Sequence, residues 1–187
     1  NCGLRIAAGA DSAVGAKATP AGYNRAYVQG RPGASLGDFL DSWRKGRNFV
    51  TSGPMLFLAA GDLSPGDALD LPAGGKKVEF RVRAVSSEPL ESLELIANGQ
   101  VVATAQIGAG DREAELVRTL LVNESTWVAA RCADQEMLLS DEEMERYRRP
   151  PGRPREEPCR LRFAHTSPIY VSVAGTPVRI AKSIDEA

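Results

Sequence analysis

Lys77-Val78-Glu79-Phe80-Arg81-Val82-Arg83-Ala84 decides the fold class. Val78, Phe80, Val82 and Ala84 fall on one face of an extended chain and the charges on the other, the period-2 pattern of a half-buried antiparallel strand. Immediately downstream, Leu93 to Ala97 and Val101 to Ala105 flank Asn98-Gly99. That dipeptide accepts two consecutive positive φ angles and therefore predicts a tight hairpin, with Ile96 opposite Val101 and Leu95 opposite Val102. Further strand-like runs span Met55 to Ala60, Glu115 to Val122, Trp127 to Ala133, Ile169 to Ala174 and Pro177 to Ile180. Turn clusters such as Pro65-Gly66-Asp67 and Ala73-Gly74-Gly75 separate them. Strands this short and evenly spaced predict a mainly β protein, an immunoglobulin-like antiparallel sandwich over 54–187.

Residues 1–53 have a different texture. Ser35 with Asp38 three residues on is an N-terminal capping pattern, and Leu36, Phe39, Leu40 and Trp43 follow at helical spacing before Gly46. This predicts a helix from Leu36 to Lys45 whose apolar stripe packs on the stretch around Leu4 and Ile6 or on a partner upstream. Left uncovered, the stripe is expected to drive self-association. Arg44, Lys45 and Arg47 crowd its last turn, where the helix dipole favours cations.

About 134–160 the strand rhythm breaks. Asp141-Glu142-Glu143 is followed by five arginines interleaved with Pro150, Pro151, Pro154 and Pro158, which cannot pair in a central strand. The segment reads as a solvated excursion between two strands, with a helical turn around Leu138 to Tyr147. Arg149-Pro150-Pro151-Gly152-Arg153-Pro154-Arg155 resembles the minor-groove core of an AT-hook, but the acidic residues on both sides oppose a phosphate backbone. With 23 Lys and Arg against 24 Asp and Glu among 187 residues, no global field recruits nucleic acid or an anionic membrane. Neither class of partner is expected. No apolar run reaches the ~20 residues of a membrane-spanning helix.

Catalytic constellations are scarce. Cys2, Cys132 and Cys159 are too few and too widely spaced for a disulfide framework or a zinc set, although one bridge between Cys132 and Cys159 is compatible with the sequence. One histidine, His165, is present. It reads either as a proton donor or substrate contact or as a ring bracing the loop before the last strands. Ala7-Ala8-Gly9-Ala10-Asp11 places a carboxylate at the end of an apolar, strand-like run, where it either offers an oxygen ligand to a divalent metal or caps a turn.

Four stretches bear on this choice: Asn1 to Ser12, Gly22-Tyr23-Asn24-Arg25-Ala26-Tyr27-Val28, Gly46-Arg47-Asn48-Phe49-Val50-Thr51-Ser52-Gly53-Pro54, and Ala164-His165-Thr166-Ser167-Pro168-Ile169-Tyr170-Val171. In that order they resemble the C-terminal part of CehA/McbA-like metallohydrolases of the PHP superfamily. The resemblance implies a metal-binding, distorted β/α barrel that hydrolyses ester, carbamate or phosphoester bonds, followed by a C-terminal β-sandwich. Residues 1–53 would then be a short α/β remnant of the barrel (strand, loop and helix), and 54–187 the sandwich. The resemblance also implies that Asp11 is a metal ligand in the intact parent, whose N-terminal barrel is the partner expected for this chain. Where such proteins often carry Asp-x-His, this sequence has Asp11-Ser12-Ala13. A metal-activated water needs about three protein ligands and an open position, so no cofactor and no hydrolysis are expected of these residues alone. Asn1 in place of Met, and an opening that lacks the features of a signal peptide, read as a piece of a longer chain with its localisation signals upstream. The alternative is an independent sandwich module that binds a glycan or a protein, although two Trp and four Tyr give no evident platform for sugars.

Overall fold

A computed structural model describes residues 3–12, 21–134, 137–138, 159–160 and 162–179. The elements in chain order are β1 (Arg25–Val28), α1 (Leu36–Arg44), β2 (Asn48–Thr51), β3 (Met55–Ala59), β4 (Ala68–Leu71), β5 (Lys76–Val85), β6 (Leu90–Ala97) and β7 (Gln100–Thr104). They continue with β8 (Glu113–Val122), β9 (Thr126–Asp134), β10 (Met137–Leu138), β11 (Cys159–Arg160), β12 (Phe163–Thr166) and β13 (Ile169–Val173). The chain is mainly β, with one helix among the described residues, and its strands pair antiparallel except that β4 runs parallel to β13 at the edge of the larger sheet.

The stretch from Lys77 to Ala84 lies in β5, the middle strand of a three-stranded sheet β3-β5-β8. Its inward residues behave as the alternation predicts: Phe80 and Ala84 are wholly buried and Val82 nearly so. Facing them across the core is a larger sheet centred on β9, which pairs with β6 on one side and with β12 and β13 on the other. Leu93, Leu95, Val128, Ala130, Cys132, Ala164, Ile169 and Val171 from that sheet complete one continuous apolar cluster with Leu56, Leu58 and Val78. Across β5 the charges stay outside, with Arg83 2.6 Å from Glu113 and Arg81 2.8 Å from Glu79. Exposed pairs of this kind add little stability.

Asn98 and Gly99 turn the β6–β7 hairpin with φ of 50° and 87°. Ile96 lies opposite Val101 as expected, but a bulge between Leu95 and Ile96 sets Leu95 opposite Ala103 in place of Val102. An extra residue on one strand shifts every pair beyond it by one.

Two other expectations are corrected, and four strands are present that the sequence reading did not single out. Residues 177–179 form no strand, because the chain turns back at Thr176, which bridges only to Val173. β1, β2, β4 and β12 are strands without a period-2 signature, being four residues each. Of these, β1 and β2 precede Pro54 yet hydrogen-bond into the larger sheet, β2 directly against β12. Finally, residues 4–12 lie in no strand. The Ala8 backbone is bonded to the side chains of Trp43, Asn48 and Ser167, whereas a strand pairs with a neighbouring backbone.

The excursion leaves and returns at one place. Asp134, wholly buried at the end of β9, accepts from Arg162 Nε at 2.8 Å and Nη2 at 3.1 Å, and from the Ser86 hydroxyl. The Asp134 amide also donates to the Arg162 carbonyl at 3.1 Å. Beyond this pair, β10 and β11 extend the ladder with Leu138 opposite Cys159. Leu138 is therefore in a strand, and the rest of the expected helical turn lies outside the described residues, as does Arg149 to Arg155. Removing one member of a buried pair strands the other charge in a poorly hydrated site. Asp134→Ala is expected to lose about 3–5 kcal/mol in urea unfolding, whereas Glu79→Ala on the exposed face should change stability by under about 1 kcal/mol.

Candidate functional site

The larger sheet has a second face, opposite the core. Alternation along β2, β12 and β13 puts Phe49, Thr51, Ala164, Thr166, Ile169 and Val171 toward the core, and Asn48, Val50, His165 and Tyr170 away from it. Residues 5–12 lie over this second face as a strap, and α1 flanks the strap.

Ala8 is where the strap is fastened. Its carbonyl accepts from the Trp43 indole N–H at 2.8 Å and from Asn48 Nδ2 at 2.7 Å, and its amide donates to Ser167 Oγ at 3.4 Å. Ser167 Oγ in turn donates to Asn48 Oδ1 at 2.6 Å, which fixes the orientation of the Asn48 amide. Asn48 and Ser167 are 3% and 2% exposed, so each needs these partners. Further along, the Asn24 amide donates to Ser12 Oγ at 3.0 Å, and Asn24 Nδ2 donates to the Asp11 carbonyl at 2.7 Å. Arg5 lies over the Tyr170 ring, 4.4 Å from its centroid. The four sequence stretches quoted above thus meet at one place.

α1 forms as its sequence directs, with Ser35 and Asp38 closing a reciprocal cap. Its stripe is not buried on Leu4 and Ile6, which are 75% and 73% exposed. Leu40 and Trp43 instead meet the strap at Ala7, around an open groove of about 210 Å³, and no residue of α1 is fully buried. The helix is joined to the sandwich at its far end. Gly66 approaches so closely that a Cβ there would lie 2.2 Å from the Lys45 carbonyl oxygen, and its φ of 88° also disfavours other residues. Beside it, Arg47 Nη2 contacts Asp67 Oδ1 at 3.0 Å. Partial burial alone would raise the Asp67 carboxyl, but the Ser64 backbone N–H, the Arg47 guanidinium and the Ser64 hydroxyl together hold it below the usual range.

The sequence-derived site residues are placed as follows. Asp11 is exposed near the end of the strap, its backbone held by Asn24. His165 lies in β12 between Val50 and Arg131, half-buried and stacked on Phe163 at 6.3 Å. Among the described residues no three His, Cys, Asp or Glu side chains converge, so the donor set does not by itself fit a metal ion. Cys132 is an unbridged thiol facing the core. Sequence reasoning missed Asn24, Asn48 and Ser167, and took Trp43 only as an apolar contact. The clue was an Asn two residues after Gly22 and after Gly46, just before β1 in one case and at the first position of β2 in the other.

A scan against protein-family models and searches of curated proteins and of solved structures found no match for this chain.

Two outcomes follow from this geometry. Asn48→Ala leaves the Ala8 carbonyl and Ser167 short of partners, so amide exchange across residues 5–12 should speed up while β5 amides keep their protection; global stability should fall by about 1–3 kcal/mol. Burial, reinforced by the nearby Asp134 charge and opposed by the Ala164 backbone, pushes the Cys132 thiol up to about 12. Only the thiolate is nucleophilic, so Cys132 should resist a disulfide reagent at pH 8 in the native protein and react on unfolding, as read by peptide mass mapping.

Proposed function

We propose that this chain is the C-terminal part of a PHP-type metal-dependent hydrolase of ester, carbamate or phosphoester bonds. In this reading the immunoglobulin-like sandwich is an accessory support, and the strap and α1 belong to the catalytic barrel of the same polypeptide. The observation that carries the reading is the uncovered apolar surface on those two elements. Leu4, Ile6 and Leu36 are at least 73% exposed and Phe39 is 39% exposed, although the strap itself is fastened by buried polar groups. Apolar surface on a held backbone is suited to permanent burial against more protein. In a longer parent that protein is the barrel, and without it the same surface favours self-association.

Asp11 is then one metal ligand among several, the others being supplied by the barrel. The clamp of Asn24 on Ser12 and on the Asp11 carbonyl supports that role, because a ligand must be oriented by what surrounds it. A bound divalent metal would supply an activated water at neutral pH. His165, on the same face of the sheet as the strap, is the second residue of this chain assigned to the site.

The test uses the natural polypeptide that carries these residues, with Mn²⁺ or Zn²⁺ and aryl ester, carbamate and phosphoester substrates. Metal-dependent turnover is expected, falling to background in Asp11→Asn, while residues 1–187 alone remain inactive. Turnover unaffected by Asp11→Asn, or turnover by residues 1–187 alone, overturns the reading.

A further inference from the structure

A second cleft, of about 160 Å³, opens where the strap passes the end of α1. Arg5, Arg44 and Lys45 line it together with Tyr170, and Ile6 and Ala7 form an apolar wall. We propose that this cleft binds the phosphate group of a small molecule. The proposal rests on this chain alone and is independent of the barrel reading.

Three features support it. First, the cations come from two separate segments. Arg44 and Lys45 also answer the negative pole of α1, but Arg5 comes from the strap and has no such reason to be there. Second, the neighbouring carboxylates leave a cationic excess: Asp41 contacts Arg44 at 2.9 Å, and Asp67, whose carbonyl accepts from the Tyr170 amide, is paired with Arg47 at 3.0 Å, so Arg5 and Lys45 leave about +2 among the residues that line the cleft. A dianion matches that excess better than a carboxylate does. Third, Arg5 is already in place. Its guanidinium carbon lies 4.4 Å from the centroid of the Tyr170 ring, so a cation–π contact sets the position of a group that carries five N–H donors. Tyr170 is itself half-buried in β13, so the platform is part of the sheet. Burial raises the Tyr170 phenol and Arg5 opposes this, so the ring stays neutral at physiological pH.

The cleft also adjoins the groove lined by Ala7, Leu40 and Trp43, with Ala7 and Arg44 common to both. A phosphate in the cleft would thus carry its organic substituent toward an apolar surface. Phosphate is held by charge-assisted hydrogen bonds, and Arg and Lys side chains are the donors suited to making them.

The experiment is a titration of the 187-residue chain with sodium phosphate at constant ionic strength, followed by backbone amide shifts, with sodium acetate in parallel. Saturable shifts at residues 5–7, 44–46 and 170 are expected for phosphate, with acetate at least about tenfold weaker. Arg5→Gln and Lys45→Gln should each weaken phosphate binding about tenfold or more, Arg5→Lys should weaken it less than Arg5→Gln, and Lys77→Gln on the far sheet should leave it unchanged. The amide spectrum of each variant reports whether it is folded. No saturable shift in the wild type, equal binding of acetate, or equal loss in Lys77→Gln overturns the proposal. Failure of metal-dependent hydrolysis in the parent would leave these titrations unaffected.

Discussion

Asn48 is a buried amide, and the requirement that a buried amide be hydrogen-bonded fastens the strap to the sandwich. Its Nδ2 reaches the Ala8 carbonyl and its Oδ1 takes the Ser167 hydroxyl. Meeting those demands brings the strap, β2 and the end of β12 to one point, and the Trp43 indole, bonded to the same carbonyl, adds α1. An apolar residue at position 48 would leave the Ala8 carbonyl and the Ser167 hydroxyl short of partners. The strap is therefore positioned by polar contacts, and its apolar side chains at Leu4 and Ile6 remain available for another surface.

The core beneath obeys simpler physics. Apolar residues at alternate positions of β5, β6, β9 and β13 exclude water between two sheets, and this is indifferent to what lies on the far face. The two layers meet at β2, where all four residues are buried. Phe49 and Thr51 serve the core, whereas Asn48 and Val50 serve the strap side. Such a strand cannot look amphipathic, because neither of its faces is wet. At the other end of the larger sheet, the ion pair of Asp134 and Arg162 lets a long charged segment leave β9 and return to β12 without disturbing the ladder.

A strap held by side chains and a helix held at its C-terminal end bury few of their apolar groups, which favours low local stability there. Both flank the cationic cleft and both carry the exposed apolar surface. Binding at either place would stabilise the strap by mass action, and so couple it to the sandwich more firmly than the polar contacts alone.

The sequence by itself determined what depends on neighbours along the chain. The period of β5, the Asn98-Gly99 turn and the Ser35–Asp38 cap are local, and each is present as read. Short strands carried no such record: β1, β2, β4 and β12 have four residues each and take their partners from distant chain. The bulge that places Leu95 opposite Ala103 was equally illegible, because register is settled across strands and not along them. Asp11 and His165 could be singled out by residue type, but their surroundings could not. Asn24, Asn48 and Ser167 matter only through atoms 12 to 159 residues away in sequence, and Arg5, Arg44, Lys45 and Tyr170 form a cleft only once the strap lies over β13. Buried polar pairing and charge convergence are properties of three-dimensional proximity, and the tertiary structure alone decided them.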